Sequence, residues 1–444
     1  MRDEGGAGAG QGTTAGPPDL TAGPAPTPAT AAEAEPPAGA VASGVARPRG
    51  TEREQVAPFG RSLAVFTLGA VLVSGQLYMV IPLLHDMATG WGSTTGALAW
   101  LVTAFAIGYG VGFLLFGPLS DRFGRRRLLM VGMPLAALTT ALVAVSPGAE
   151  MAIVLRGLQG VAVATFPPAA MAYLAERLEP RRRAIAISAV TAAFLASAVL
   201  LQVGGQLMVG VTGWRGPFLV SAAGLVVAAV ALGLVMLPDR ARTEAGTTPR
   251  AGSLTAVYRA LPGLLFDRLL LPRYVATVLV MTGFVAVYTG LQVYGVAGSA
   301  QEMLALRASG LPMIVMIPLL MPWLGRIPAP ARAAAFLVLG AAALVAVGLT
   351  HVGVVGVAAL LAVYVAAIAG GLPGLNEAIS AGAGAARGSA LALFSFGLAL
   401  GSAVGPQLVG LFPGFGALMY GVAALLVAGA LAVLVSARMA RRPS

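Results

Sequence analysis

The sequence predicts an all-α integral membrane protein with twelve transmembrane helices arranged as two six-helix halves. Three observations carry that expectation. Hydrophobic residues make up 58% of the 444 and charged residues only 10%, against about 25% charged in an ordinary soluble domain. So few charges cannot clothe a water-soluble surface. Polarity is confined to short stretches between apolar runs, each close to the ~20 residues that cross a bilayer as a helix. The basic residues, finally, gather in alternate connections between those runs.

Taken in order, residues 1–60 are rich in Gly, Ala, Pro and Thr, hold no apolar run, and predict a disordered cytoplasmic tail rather than a signal peptide. The N-terminal half, 61–237, contains apolar runs at 62–84, 96–117, 128–147, 151–174, 184–211 and 216–237. A cytoplasmic central loop, 238–272, follows. The C-terminal half, 273–437, has runs at 273–296, 306–325, 333–350, 353–375, 389–411 and 415–437, and a short cytoplasmic C-terminus, 438–444, ends the chain. The eighth run is the least regular, with Arg307 and Pro312 at its start. In the central loop Leu254, Val257, Tyr258, Leu261, Leu264 and Leu265 share one helical face. That pattern suits a helix lying on the inner membrane surface, and a plain tether between the halves is the alternative. Val203-Gly204-Gly205-Gln206-Leu207 in run five returns as Val404-Gly405-Pro406-Gln407-Leu408 in run eleven, the same place in the second six-helix set. A parallel repeat with a substrate site between the halves is the implied architecture.

Charge fixes the expected orientation. There is no lysine, and all the arginines except Arg156, Arg215 and Arg307 fall in the tail, in the even-numbered connections or at the C-terminus. The positive-inside rule then places both termini in the cytoplasm and the chain in the cell membrane. Because these arginines flank apolar spans without aromatic interleaving, no nucleic-acid partner is expected. Cysteine is absent, and His85 and His351 are far apart in sequence. No metal site or cofactor is expected. With no nucleophile–base pair in view, neither is enzymatic activity.

Two motifs carry mechanism. Between runs two and three stands Gly117-Pro118-Leu119-Ser120-Asp121-Arg122-Phe123-Gly124-Arg125-Arg126-Arg127. A plain topology anchor would explain the arginines but not the carboxylate and glycines. Gly117 would let helix two approach a neighbouring backbone, and Gly124 would permit a tight turn. Asp121 would suit a helix N-terminus, a contact worth ~0.3–2 kcal/mol. In run four, Arg156, Gln159 and Gly160 share a helix face. An arginine inside a span costs roughly 2.5–3.5 kcal/mol on insertion scales and calls for a partner or a watery cavity, unless it snorkels to the interface.

The loop stretch closely resembles the major facilitator signature Gly-x-Leu-x-Asp-Arg-x-Gly-Arg-Arg, and Leu155-Arg156-Gly157-Leu158-Gln159-Gly160 is similar to that superfamily's second motif. The resemblance extends from about residue 62 to 437, with Trp214-Arg215 and Arg387-Gly388-Ser389-Ala390-Leu391-Ala392-Leu393 also looking like family positions. It implies the twelve-helix drug:proton antiporter branch. There, the residue matching Asp121 helps lock the halves in the outward-open arrangement with helix eleven as partner, and the residue matching Arg156 works near proton transfer. Two departures stand out. The antiporter motif Gly-Pro-x-x-Gly-Gly is only half present in Leu200-Leu201-Gln202-Val203-Gly204-Gly205. The counterpart loop after run eight, Leu324-Gly325-Arg326-Ile327-Pro328, lacks a carboxylate.

Candidate cavity residues are Gln76, Gln202, Gln206, Tyr288, Gln292 and Asn376. Gln202 with Gln206, and Tyr288 with Gln292, are each one helical turn apart. They either line a pathway or make structural hydrogen bonds between helices. Pro167-Pro168 should kink run four. A proton-coupled carrier needs a group that titrates between states. Glu377 near the inner end of run ten and Asp86 near the outer end of run one are the candidates, with an interfacial role as the alternative for both. The expectation is a monomeric secondary transporter exporting a small organic solute by alternating access, coupled to protons. The alternatives are a proton-linked importer of a nutrient or osmolyte in the same fold, or a membrane sensor that has lost transport.

Overall fold

The computed structural model describes residues 57–239, 254–349 and 353–440. Most of the expected tail, the middle of the central loop, His351 and the last four residues lie outside that set. Among the described residues there is only helix and turn. Among them, twelve helices are long and apolar enough to cross a membrane. They are span one Phe59–Trp91, span two Ala97–Ser120, span three Arg125–Ala144, span four Ala149–Arg177, span five Pro180–Thr212 and span six Arg215–Val235. The second six are span seven Leu271–Val293, span eight Ala300–Met321, span nine Ala329–Leu349, span ten Val354–Gly382, span eleven Arg387–Val409 and span twelve Phe415–Met439. The amphipathic pattern of the central loop is realised as the helix Leu254–Leu265.

Proline and glycine set the interruptions. Span one tightens into a single turn at Ile81–Leu83 around Pro82, continues as Leu84–Trp91, and stops at Gly92 with φ +61°. Span four breaks at Ala164–Thr165, just before Pro167-Pro168, as the sequence suggested. Span eight breaks at Ser309–Gly310, with Pro312 in the first turn of its second segment. It also begins earlier than the apolar run did. The polar Ser299-Ala300-Gln301-Glu302 stretch is helical because the Ser299 hydroxyl accepts the Glu302 N–H at 3.2 Å, an N-cap that hydropathy does not register. Span ten runs seven residues beyond its expected limit, so Asn376 and Glu377 are helical rather than at its end.

The packing repeats between the halves. In the first, span one packs on span five, two on four, three on four and six, and one on six. In the second, seven packs on eleven, eight on ten, nine on ten and twelve, and seven on twelve. Adding six to each number of the first set gives the second. Contacts across the halves, two on eleven and five on eight, exchange under the same operation. The parallel repeat suggested by a five-residue echo is therefore present in the pairing itself. Glycines make the closest crossings, because without a side chain two helix backbones can touch. A Cβ at Gly108 would collide with the Gly157 carbonyl, and one at Gly160 with the Phe105 carbonyl, where spans two and four cross.

Candidate functional site

For orientation, the end at which the chain begins span one is called the near end and the opposite one the far end. The first polar assembly is buried within the N-terminal half. Arg156 on span four is 0% exposed. Its Nε donates to the Leu101 carbonyl of span two at 3.1 Å, and its Nη1 donates to the Gln76 carbonyl of span one at 3.0 Å and to Gln159 Oε1 at 2.8 Å. Gln159 Nε2 donates in turn to Gln76 Oε1 at 3.0 Å and to Thr140 Oγ1 of span three at 2.6 Å. Gln76 Nε2 reaches Ser221 Oγ of span six. Phe105 of span two closes the assembly, its ring centre 4.2 Å below the guanidinium, a favourable cation–π geometry in a dry setting. One arginine and two glutamines thus tie five helices together, and snorkelling to the interface is excluded. Each charge-assisted bond contributes roughly 1.5–3 kcal/mol, together enough to offset the insertion cost of the arginine.

The second assembly joins the halves toward the far end. Arg307 on span eight is also 0% exposed. Its Nη1 donates to Gln202 Oε1 of span five at 2.8 Å and its Nη2 to Gln292 Oε1 of span seven at 2.6 Å, so one guanidinium spans the seam. On the other flank the Thr103 hydroxyl of span two donates to the Ala403 carbonyl of span eleven at 2.7 Å and accepts from Gln407 Nε2 at 2.9 Å. Between these flanks Tyr78 of span one meets Phe284 of span seven edge-on at 5.9 Å, and Phe284 continues to Tyr288 at 5.1 Å and Tyr364 at 6.5 Å. Toward the near end, Tyr258 of the connecting helix donates to the Leu115 carbonyl of span two at 3.5 Å.

The third assembly is the near-end loop between spans two and three. The helix of span two continues to Phe123, so Asp121 and Arg122 lie in its last turn, and Gly124 turns the chain at φ +98°. The Asp239 carboxylate accepts the backbone N–H groups of Arg126 and Arg127 at 2.9 and 3.1 Å and so caps span three. Arg126 Nη2 donates to the Gly233 carbonyl of span six at 3.0 Å, Arg125 pairs with Glu176 of span four at 2.7 Å, and Arg177 Nη2 donates to the Pro238 carbonyl at 2.7 Å. The loop is thereby stitched to the ends of spans four and six.

Several expectations are corrected by this geometry. Gly117 makes no close helix approach: among the described residues a Cβ there would meet nothing within 4 Å. The close crossings occur higher in the same helix, at Gly108 and Gly112, where it faces span four. Arg273 and Arg332, read as loop arginines, are buried within spans seven and nine. Arg273 donates to Ser436 Oγ and the Ala378 carbonyl, and Arg332 pairs with Glu377. Glu377 itself is 60% exposed in its side chain. Asp86 is exposed too, and with His85, Gln206 and Gln292 it borders a far-end depression of about 330 Å³. Asn376 is half-buried. Of the two readings of the glutamine-bearing pairs, hydrogen bonding between helices is realised at Gln202 and Gln292. One member of each, Gln202 and Gln292, meets on Arg307, while Gln206 faces the depression and the buried Tyr288 hydroxyl has no hydrogen-bond partner. Sequence reasoning missed Arg307, Thr103, Gln407 and Asp239. For Arg307 a signal existed, since it was one of three arginines that broke the charge asymmetry.

Comparison with known proteins agrees with this architecture. The chain is 28% identical over 180 residues to a multidrug resistance protein B homolog of Mycobacterium tuberculosis, covering 40% of this chain and 33% of that protein. It is 28% identical over 174 residues to the methylenomycin A resistance protein of Bacillus subtilis, covering 39% and 37%. To the tetracenomycin C resistance and export protein of Streptomyces glaucescens it is 31% identical over 145 residues, covering 33% and 27%. The matched stretches span less than half the length of each relative. The sequence profile described as Major Facilitator Superfamily matches residues 66–406, most of the chain and nearly all of the bundle. Twelve spans, two repeated halves and that match together show that this chain is a multi-pass membrane protein and belongs to the Major Facilitator Superfamily.

Proposed function

We propose that this transporter exports a small, largely apolar organic solute from the cytoplasm across the cell membrane, in exchange for protons and as a monomer with both termini cytoplasmic. The observation that carries the reading is the far-end seam. A few hydrogen bonds and one aromatic contact accompany the packing of span two on eleven and of span five on eight where the halves meet, and hydrogen bonds of ~0.5–3 kcal/mol each can be exchanged for others when the halves rock. Alternating access requires such a seam, closed in one state and open in the other. The near-end loop is the counterpart device: Asp121, at the end of span two, holds the halves together at that end in the opposite state, with span eleven as its partner. The names of the resistance and export relatives support the outward direction, and the buried aromatic cluster of Tyr78, Phe284, Tyr288 and Tyr364 between the halves supports an apolar solute.

Proton coupling is assigned to Asp86 at the far-end depression and Glu377 at the near end. The Arg156–Gln159 assembly holds the intervening helices in register, and Gly160 keeps span four against span two. The test is solute uptake into everted vesicles across a panel of hydrophobic compounds, with and without an imposed pH gradient. Export coupled to protons predicts uptake that collapses with a protonophore and falls at least tenfold in Asp86→Asn or Glu377→Gln. Uptake only into right-side-out vesicles would make the protein an importer.

A further inference from the structure

Among the described residues the seam arginine has no counter-charge. Arg307 is fully buried, yet both of its hydrogen-bond acceptors are neutral amide oxygens and its Nε has no partner. The described carboxylates that border the membrane portion are engaged elsewhere or exposed. Glu302 accepts from the Gly298 N–H, Glu377 pairs with Arg332, and Asp86 is at the surface. Asp121 belongs to the near end of span two, the opposite end of the bundle. A buried guanidinium without an anion is costly, by several kcal/mol for the ion and ~1–3 kcal/mol for the unsatisfied N–H. Two glutamine oxygens repay part of that, the one from Gln202 only while the seam is closed. When span five moves away, the bond to Gln202 is lost and the site needs an acceptor more than before.

The neighbourhood is arranged to supply one. Tyr288 lies one turn before Gln292 on span seven, and its buried hydroxyl has no partner among the described residues. Thr289 Oγ1 and Tyr364 Oη are likewise buried without partners. Phe284 lies between Tyr78, Tyr288 and Tyr364. A planar carboxylate can accept two parallel charge-assisted bonds from one edge of the guanidinium, which a single neutral amide oxygen cannot do.

We propose that Arg307, held at the seam by Gln202 and Gln292, is an anion site that receives the carboxylate of the transported solute, whose apolar body packs on Tyr78, Phe284 and Tyr364. The solute class is thus a hydrophobic monocarboxylic acid in its ionised form. The inference rests on the alternating-access reading and adds a coupling to it. The carboxylate displaces the Gln202 and Gln292 oxygens from Arg307, and Gln202 is the contact from the other half. Binding and seam opening therefore favour each other.

The test uses binding to purified full-length protein in detergent, read by thermal shift and by tryptophan fluorescence, so it does not depend on flux. The probes are benzoate, naphthoate and decanoate, each beside its neutral amide, with sodium chloride as the inorganic anion. The expected result is half-saturation by at least one carboxylate at a concentration at least tenfold below its amide. That preference should be lost in Arg307→Gln, kept but weakened severalfold in Arg307→Lys, which retains the charge without the planar fork, and reduced severalfold in Tyr288→Phe. Monodispersity on size exclusion distinguishes lost binding from lost folding, and Arg307→Lys supplies the folded comparison if the glutamine variant aggregates. Equal response to acids and amides, a carboxylate preference that survives Arg307→Gln, or chloride matching the organic acids at equal concentration would each overturn the proposal. Flux of neutral solutes without any carboxylate preference would overturn it while leaving export standing. Carboxylate binding without flux would do the reverse.

Discussion

Asp239 lies just beyond span six, far in sequence from the loop it serves, and replacing it with alanine isolates what that loop contributes. The carboxylate accepts two N–H groups, those of Arg126 and Arg127, at the start of span three. Loss of an N-cap side chain costs ~0.5–2 kcal/mol, and the carboxylate's favourable placement at the helix N-terminus is part of that loss. A local destabilisation of ~1–2 kcal/mol corresponds to about a five- to thirtyfold rise in opening, since 1.4 kcal/mol is a factor of ten. Hydrogen exchange measured by mass spectrometry on a peptide covering residues 120–130 should quicken by that factor in Asp239→Ala. In Asp239→Asn, which keeps one acceptor oxygen, it should quicken by roughly half as much on a logarithmic scale. Peptides from spans nine and twelve, which do not touch the loop, should not change. Unaltered exchange in the loop peptide of Asp239→Ala would show that the cap does not hold the loop.

Asp121→Asn should leave substrate binding intact in detergent but reduce flux in proteoliposomes five- to thirtyfold, because a helix-dipole contact of ~1–2 kcal/mol is removed from one of two balanced states; Arg122→Gln should do less. Gly160→Ala should lower the yield of folded protein sharply, since its Cβ would collide with the Phe105 carbonyl, whereas Gly204→Ala, with open space beside it, should express normally. Similar yields for the two would refute the tight crossing of spans two and four. Cysteines placed at Thr212 and Gly246, in a chain with none of its own, should label from opposite membrane faces, Gly246 from the cytoplasm. Labelling of both from outside would refute the assigned orientation.

The helical architecture was legible because a bilayer imposes a single solution on a long apolar run, and because arginines that stay on one side must recur in alternate loops. Misplacements came where backbone capping or proline outweighed hydropathy. Span eight opens on polar residues that Ser299 caps, and span one continues past Pro82 as a tightened turn. Gly124 and Arg156 were readable from residue type alone: a turn needing positive φ and a charge needing partners leave little choice. The partners were not readable, because they are brought in by tertiary packing. Nothing local marks Thr140 or Ser221 as acceptors for glutamines on other helices, nor Asp239 as the cap of a helix begun more than a hundred residues earlier. Pairing Gln202 with Gln206 by helical spacing was sound for one helix, but the seam selects one residue from each of two helices and joins them through Arg307.

Whether the seam is one of two alternating closures can be measured without a substrate. Spin labels at Gly96 and Leu411 report the far end, and labels at Arg127 and Gly388 report the near end; all four positions are exposed or half-buried, and the chain has no native cysteine. Electron–electron double resonance is then compared between this protein and a variant carrying Thr103→Ala and Gln202→Ala, which deletes both polar flanks of the seam. The expected result is a far-end distance distribution that shifts longer in the variant while the near-end distribution shifts shorter, in the same preparation. Unchanged distributions at both ends, or a lengthening at both, would contradict alternating access about this seam.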